Sequence, residues 1–343
     1  MRKRMVTVAT CFAICFTMSM QLTAYCSGNT SETEKAGIET SDDLKTINLA
    51  LPTWVGYMPL FVAKDKGYFE ENGLDVKLNI IEGLAERKQA LISGDLDGLA
   101  TSVDVIVNLD GSGVPMDMVW VLDRSNGSDG IVCTSDIKDP SELKERNVAT
   151  EIGSTEHFFL LKVLEQYGMD QNDINLVPMN IGDAGSAFVA GRVDAAVTYD
   201  PYLAQGIAAG GNSFTTAEYD IDLMDTVGFS TSFVEKHPDE VKGFVMALSE
   251  AAEYFEQDAN KEECYSIAAK GLKMDEADVE DTSNKLEVYD LSGNENQMGR
   301  DSDGKLYSTT DEIAEFYQDQ GLNDILVKAS DVIDPDFVRE LSQ

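Results

Sequence analysis

The chain has 343 residues, 43% of them hydrophobic and 26% charged, which is the balance of an ordinary soluble globular protein. Its formal net charge of −36 at pH 7 argues against a nucleic-acid partner, because phosphates would be repelled by so acidic a surface. A highly solvated surface outside a cell explains this charge, and selection for a cationic ligand is the alternative.

The first residues have the pattern of a secretory signal. Arg2, Lys3 and Arg4 precede an uncharged apolar stretch at 5–20, which is too short for a membrane span. We predict a signal peptide over residues 1–25 and a flexible polar linker over 26–45. The protein is therefore expected to be exported and extracytoplasmic.

The cysteines carry little further chemistry. The surroundings of Cys26 resemble those of a bacterial lipoprotein, whose processed cysteine carries lipid. Tyr25 departs from that pattern, which has a small residue before the cysteine, so lipid-anchored and unanchored forms both stay open. Cys133 and Cys264 form no C-x-x-C motif, and the sequence predicts no metal site, no disulfide framework and no cofactor.

Alternating strands and helices follow the linker. The first group has predicted strands at 47–51, 74–81, 99–101 and 118–122, with helices at 58–72 and 85–93. The second group has strands at 148–152, 175–178 and 195–199, with helices at 155–167 and 184–190. From His237 onward the pattern is helical, at 240–257, 262–272, 276–289 and 310–320.

One sequence motif occurs in both groups of strands and helices. Residues 89–102 read QALISGDLDGLATS and residues 186–199 read SAFVAGRVDAAVTY, so that Gly94 and Asp97 match Gly191 and Asp194. Each copy is a helix that passes through a glycine turn into a buried strand, the step between layers of a parallel sheet. Ligands of such sheets lie beyond the carboxyl ends of the strands. The repeat therefore predicts two similar lobes that face each other across one cleft.

Several motifs in order resemble a known family. They are WVGYMPLFVAKDKGYF at 54–69, GLDV at 73–76, the two G-x-x-D turns, DRSNGSDG at 123–130, VATEIGS at 148–154 and Asp200-Pro201. The chain resembles solute-binding proteins of ABC importers, in the class that binds nitrate, sulfonates, taurine and thiamine-pyrimidine precursors. The resemblance covers roughly residues 47–341.

The resemblance implies an α/β, two-lobed, periplasmic-binding-protein-like (type II) venus-flytrap, with a helical C-terminal segment packed on lobe one. Lobe one is expected at 46–129 and 232–343, and lobe two at 130–231. The implied activity is capture of a small-molecule solute and its delivery to an ABC permease in the membrane. No reaction is implied, so the chain is not expected to be an enzyme, and we expect a monomer.

The candidate ligand residues lie in loops that follow strands or precede helices. They are Trp54, Tyr57, Thr101, Ser102, Asp104, Asp123, Ser125, Asp129, Glu151, Ser154, Thr155, Tyr199, Asp200 and Tyr202. Other roles remain open for many of them. The aromatic side chains can instead plug the space between strands, the hydroxyl groups can cap helices, and Asp200 can open a turn before Pro201.

The charged groups in these loops are mainly acids, and a buried carboxylate cluster facing an anion is costly. The residues therefore favour a small neutral or cationic nitrogenous solute. The alternatives are an anion binder of the sulfonate, taurine or nitrate type, the binding subunit of a sensor, and a pyrimidine-precursor synthesis enzyme of the same fold.

Overall fold

The computed structural model describes residues 44–219, 221–299 and 304–342. The predicted signal peptide, Cys26 and nearly all of the linker lie outside these residues, and the linker's last residue, Lys45, begins the first strand. Within the described ranges, no helix is both long and apolar enough to cross a membrane.

The described residues form strands that belong to two sheets. The strands are β1 (Lys45–Leu51), β2 (Leu74–Ile80), β3 (Gly98–Ser102), β4 (Met116–Ser125), β5 (Asp129–Cys133), β6 (Asn147–Thr150), β7 (Asn175–Pro178), β8 (Ala195–Tyr199), β9 (Asn212–Thr215), β10 (Met224–Ser230) and β11 (Leu286–Val288).

Helices surround both sheets. They are α1 (Met58–Lys66), α2 (Tyr68–Glu71), α3 (Leu84–Ser93), α4 (Val103–Gly111), α5 (Thr155–Gln166), α6 (Ile181–Val189), α7 (Tyr202–Ala208), α8 (Thr231–Lys236), α9 (Pro238–Glu256), α10 (Lys261–Leu272), α11 (Glu276–Ser283), α12 (Leu291–Met298), α13 (Lys305–Asp319), α14 (Ala329–Val332) and α15 (Asp336–Leu341), with 3-10 turns at Val55–Tyr57, Pro140–Leu143, Gln171–Asp173 and Asp258–Asn260.

The two sheets have the same plan. The first has the order β11-β4-β10-β3-β1-β2 and the second the order β7-β6-β8-β5-β9. In the first sheet β1 pairs in parallel with β2 and β3, and β10 is antiparallel to β3 and β4. In the second, β6 pairs in parallel with β7 and β8, and β5 is antiparallel to β8 and β9. We call these sheets, with the helices on them, lobe one and lobe two.

The chain passes between the lobes twice, from β4 to β5 and from β9 to β10. The predicted boundary at 231/232 is therefore wrong, because β10 already belongs to the sheet of lobe one. The sequence predicts no strand there, because Thr226 and Gly228 interrupt the apolar pattern of β10. β10 lies between β3 and β4 in the sheet and its side chains are buried on both faces, so it needs no alternation.

The helical C-terminal segment packs on lobe one, as expected, with α9 and α10 against α1 and α13 against α4. Two predicted helices are shorter than expected. The helix at 58–72 is broken at Gly67, whose φ of 82° is left-handed. The helix at 276–289 ends at Ser283, and the chain then forms β11 at the edge of the first sheet.

The repeated turn makes the same hydrogen bonds in both lobes. Gly94 and Gly191 have φ values of 79° and 65°. Oδ2 of Asp97 accepts from the amide of Asn48 at 2.7 Å, and Oδ2 of Asp194 accepts from the amide of Asn147 at 2.9 Å. Each carboxylate thus ties its turn to the neighbouring parallel strand, so the shared residues of the repeat are scaffold.

Candidate functional site

A small cavity lies between the lobes where the carboxyl ends of their parallel strands face each other. Its volume is about 40 Å³. We call it the inner cavity. It is lined by Pro52, Trp54, Tyr57, Arg87, Thr101, Ser102, Val105, Asp129, Ser154, Thr155, Glu156, Ile181, Tyr199 and Asp225.

The loop after β1 provides the aromatic wall. Nε1 of Trp54 donates to both carboxyl oxygens of Asp123 at 3.3 Å, and the Tyr57 hydroxyl donates to Oδ1 of Asp225 at 2.8 Å. Gly56 is required by close approach, because a Cβ there would lie 1.9 Å from Oδ2 of Asp123. These bonds fix both aromatic rings, so Trp54 is at once a buried side chain and part of the cavity wall.

Two aspartates occupy equivalent places in the two lobes. Asp129 starts β5 beside Tyr199, the last residue of β8, and Asp225 is the second residue of β10, beside Ser102, the last residue of β3. Each antiparallel strand enters its sheet at the cleft. Its first residues therefore bring a carboxyl group to the end of the repeated strand.

The start of α5 provides the opposite wall. Ser154 caps this helix by accepting from the amide of His157 at 3.4 Å, and its hydroxyl donates to Oε2 of Glu156 at 3.0 Å. Thr155 forms a short hydrogen bond with Ser102 of lobe one. Capping and a place on the cavity wall are therefore combined in Ser154.

The lobes touch across the cavity. Besides the Ser102–Thr155 bond, the rings of Trp54 and Tyr199 meet edge to face with centroids 5.4 Å apart. The amide of Leu84 in lobe one donates to Oε1 of Glu151 in lobe two at 2.9 Å. The cleft is therefore closed in this structure.

The cavity and its surroundings contain many buried carboxyl groups, and burial is the main cause of their altered acidity. It raises the pKa of Asp129 to about 8 and that of Asp225 to about 7. Burial, together with a neighbouring carboxyl, also holds the pKa values of Asp123 and Glu156 well above the ordinary range. Near neutral pH these groups hold protons to a large extent, and a protonated carboxyl can donate a hydrogen bond.

Arg87 is the single cation among the lining residues and only 3% of it is exposed. Its Nη1 donates to the carbonyls of Ile81 and Glu82, both at 2.7 Å. Its Nε has no hydrogen-bond partner among the described residues. A buried guanidinium with a free donor suits an acceptor group on a ligand.

Eight of the predicted ligand residues line the cavity, and six do not. The eight are Trp54, Tyr57, Thr101, Ser102, Asp129, Ser154, Thr155 and Tyr199. The other six do not line this cavity, because they are held by protein groups or lie further out, and their role as ligand contacts stays a prediction. They are Asp104, Asp123, Ser125, Glu151, Asp200 and Tyr202.

Five of these six have partners that explain their position. Asp123 and Glu151 accept from Trp54 and Leu84, as described above. Asp104 accepts from the Tyr317 hydroxyl at 3.0 Å, and Ser125 is 3.0 Å from the hydroxyl of Thr216. Asp200 accepts from the amide of Ala204 at 3.0 Å and pairs with Nζ of Lys285 at 2.6 Å. The turn role considered for Asp200 is thus present, with an added ion pair.

The predicted set also omitted six lining residues: Pro52, Arg87, Val105, Glu156, Ile181 and Asp225. Asp225 was missed because β10 was not predicted, although its equivalence to Asp129 is a signal once the two sheets are aligned. Arg87 lies on an amphipathic helix, where a basic residue normally faces solvent. Nothing in the sequence distinguishes it from Lys88.

The chain matches known proteins over most of the residues that the structure describes. A sequence profile of the family described as NMT1/THI5 like matches residues 54–261, more than half of the chain. The chain belongs to this family. The resemblance to solute-binding proteins of the sulfonate, taurine and nitrate class is thereby confirmed.

Among the family's relatives is the taurine-binding periplasmic protein of Escherichia coli (strain K12). It is 23% identical over 60% of this chain and 66% of the relative. The alkanesulfonate-binding protein SsuA of Xanthomonas axonopodis pv. citri, solved with MOPS bound, has a TM-score of 0.70 at 18% identity over 84% of this chain and 98% of that one.

The nitrate-binding protein NrtA of Synechocystis PCC 6803 has a TM-score of 0.71 at 18% identity, over 88% of this chain and 89% of that one. The fold of this NMT1/THI5-like protein is therefore that of periplasmic binding proteins, and the expected fold class is confirmed.

Proposed function

We propose that this protein is the extracytoplasmic solute-binding component of an ABC importer. It captures a small solute between its lobes and delivers it to a membrane permease. The observation that carries this function is the closed cavity at facing strand ends, whose wall comes from both lobes. Relatives named as periplasmic binding proteins support an extracytoplasmic location. Lipid attachment at Cys26 and a monomeric state remain predictions.

The ligand that fits best is a small organic anion of the sulfonate type. The preference for a neutral or cationic nitrogenous solute is not supported, since the relatives' names refer to taurine, alkanesulfonate and nitrate. An anion also has suitable donors in this cavity. They are the free Nε of Arg87, the hydroxyls around the start of α5, and carboxyl groups that hold their protons.

Both lobes provide residues to the wall of the inner cavity. Ser102 and Thr101 end β3 on one side, and Ser154 and Thr155 lie at the start of α5 on the other, so hydroxyl groups from both lobes line the cavity. Trp54 and Tyr199 close the cavity with apolar surface. Exclusion of water strengthens each polar contact inside.

The decisive experiment is the pH dependence of binding to ligand-free protein. Calorimetric titrations with ethanesulfonate, taurine and nitrate, and with guanidinium and putrescine, are run between about pH 6 and pH 9. An anion binds more tightly while the carboxyls are protonated, so its affinity falls as the pH rises through the pKa of Asp225, about 7, and that of Asp129, about 8. We expect a loss of about tenfold over this range.

Arg87→Gln tests the cationic donor, and Lys88→Gln on the same helix, outside the cavity wall, is the matched control. The Arg87→Gln variant is expected to bind ethanesulfonate about tenfold more weakly, and the Lys88→Gln variant is expected to bind it with unchanged affinity. If only guanidinium or putrescine binds, with an affinity that increases as the pH rises, the proposed anionic ligand is contradicted, whereas the proposed solute-binding function stands. Turnover of a bound compound would instead favour the enzyme alternative, and co-purification with a sensor kinase the sensor alternative.

A further inference from the structure

The inner cavity is small, and one aromatic ring closes its outer side. Its volume is about 40 Å³, whereas a single buried water needs about 10–15 Å³ of such space. The cavity therefore has room for a compact group, such as an oxyanion head with one or two carbon atoms. A second space of about 240 Å³ lies on the other side of Tyr199 and Ile181, which line both spaces. These two side chains are thus the partition between the cavity and the mouth of the cleft.

The ring of Tyr199 is held by an aromatic ring on each side. It meets the ring of Trp54 edge to face with centroids 5.4 Å apart, and the centroid of the Tyr202 ring is 6.1 Å away. Trp54 is fixed in turn, because its Nε1 donates to the carboxyl of Asp123 at 3.3 Å. A rotation of the Tyr199 ring away from the cavity would therefore break close packing with both neighbours.

Tyr202, the outer neighbour of Tyr199, lies directly on the surface of α6. A Cβ at Gly182 would come within 2.9 Å of the Tyr202 hydroxyl, and a Cβ at Gly185 would come within 2.6 Å of the Cβ of Tyr202. The two glycines thus allow the tyrosine to pack against the helix without a gap. Tyr202 supports Tyr199 from behind, on the side away from the cavity.

The partition belongs to lobe two, and lobe one completes the enclosure. The carbonyl of Ile181, the first residue of α6, accepts from the hydroxyl of Thr198 at 3.1 Å, which ties this helix to the strand that ends at Tyr199. Trp54 comes from lobe one, so its contact with Tyr199 exists only when the lobes are closed. Closure of the cleft therefore seals the inner cavity at Tyr199.

We propose that Tyr199 is the specificity-determining residue that limits the length of the ligand. In the closed cleft its ring stops any chain that extends from the bound anionic head, so organic anions of one or two carbons are accepted and longer ones are rejected. This inference rests on the proposed function, because it takes the inner cavity as the place of the head. It adds a limit on length and the side chain that sets this limit.

The test uses a series of ligands that differ only in length. Methanesulfonate, ethanesulfonate, butanesulfonate and hexanesulfonate are titrated calorimetrically into ligand-free protein at neutral pH. We expect the parent to bind ethanesulfonate about thirtyfold tighter than butanesulfonate, because extra methylene groups in a filled cavity force packed side chains apart.

Tyr199→Val removes the ring and keeps a residue that suits the end of a strand. The two spaces on either side of the partition then join, so a longer chain has room. We expect this variant to bind butanesulfonate about tenfold tighter than methanesulfonate, since each further methylene group that is buried adds about fourfold at most. Tyr199→Leu, which keeps more of the buried apolar volume, is made alongside it and should show the same reversed order.

Two control variants keep the test specific. Tyr199→Phe keeps the ring and its contact with Trp54, so it should keep the length limit of the parent. Tyr167→Val removes a tyrosine that is 38% exposed at the end of α5, away from the partition, and should also leave the limit unchanged. The readout is the ratio of affinities within the series, because a general loss of stability weakens every ligand by the same factor.

The outcomes separate the length limit from the proposed function. If the parent binds butanesulfonate as tightly as ethanesulfonate, or if both Tyr199→Val and Tyr199→Leu still reject the longer chains, the limit is refuted and the proposed function stands. If no sulfonate binds to the parent or to any variant, the sulfonate class fails and the length limit fails with it.

Discussion

The two copies of the repeated sequence motif, at 89–102 and 186–199, have the same turn, but the strands that follow it end in different residues. Asp97 and Asp194 each accept from the amide of a neighbouring strand, so the scaffold is equal in both lobes. The first copy ends in the small hydroxyl of Ser102, which bonds to Thr155 of the other lobe. The second ends in Tyr199, whose ring packs on Trp54 of the other lobe. The two lobes thus share one scaffold, but the repeated strand of lobe one ends in a polar residue and that of lobe two in an aromatic residue.

The equivalence extends to the strands that enter each lobe from the other. Asp225 lies beside Ser102, and Asp129 lies beside Tyr199. Both carboxyls are buried, and burial raises the pKa of each. The two lobes therefore bring matched titratable groups to one cavity, which is an arrangement that pH can disturb.

The largest effect is expected from these two aspartates. Because their pKa values in the folded protein, about 8 and about 7, lie above the ordinary 3.8, the contribution of these two groups to the stability of the ligand-free protein is fully present below about pH 4. It is lost as the pH rises through about 7 and about 8. Asp129→Asn and Asp225→Asn should each flatten this decline and raise the Tm near pH 8 by about 5 °C in scanning calorimetry.

Asp65→Asn, at an exposed position of α1, is the control for the loss of one negative charge. It should leave the slope of Tm against pH unchanged. A flattened slope in only one of the two cavity variants would break the equivalence of the lobes, and unchanged slopes in both would contradict the burial of these carboxyls.

A smaller effect is expected from the shared turn. Asp97→Ala and Asp194→Ala each remove a charge-assisted hydrogen bond to a strand amide, at a cost of about 1–2 kcal/mol in the free energy of unfolding. Urea denaturation measures this cost. Asp95→Ala, an exposed residue of the same turn, should change it little. Very unequal losses for Asp97 and Asp194 would show that the two frames are not equivalent.

The smallest effect concerns the ion pair that joins the lobes next to the second strand end. Nζ of Lys285 lies 2.6 Å from Oδ2 of Asp200, which is 2% exposed, whereas the lysine is 33% exposed. Lys285→Met leaves that carboxyl without its cation, and because solvent screens the lysine we expect a cost of about 1 kcal/mol. Urea denaturation measures the loss, and small-angle scattering should show a larger radius of gyration as the cleft opens.

Lys285→Arg keeps the charge and should keep both properties close to those of the parent. An unchanged radius of gyration in Lys285→Met, measured without ligand, would mean that Ser102–Thr155 and the aromatic contact hold the lobes together without the ion pair.

Much of the frame was predictable because it follows from local patterns. Alternating apolar residues predicted β2, glycine turns placed the ends of α3 and α6, and the repeat predicted that two lobes face one cleft. The residues after the repeated strands could also be chosen as wall residues, since the carboxyl ends of parallel strands meet at a cleft. Ser102 and Tyr199 were identified in this way.

The site could be predicted only in part, because long-range pairing decides which polar groups are satisfied by protein. Asp104 and Asp200 have the sequence features of ligand contacts, yet Tyr317 and Lys285 occupy them from more than eighty residues away. Asp225 was not predicted because it lies on a strand without an alternating apolar pattern. Arg87 was not predicted because its helix buries this basic residue instead of exposing it.

The sequence by itself determined the α/β frame, the two lobes and the family, because turns, periodicity and motif order are local properties of the chain. Only the tertiary structure decided which carboxyls are buried together, which one has a cation, and which side chains enclose the inner cavity. These depend on the distance between residues far apart in sequence, and burial changes their protonation as soon as the lobes close.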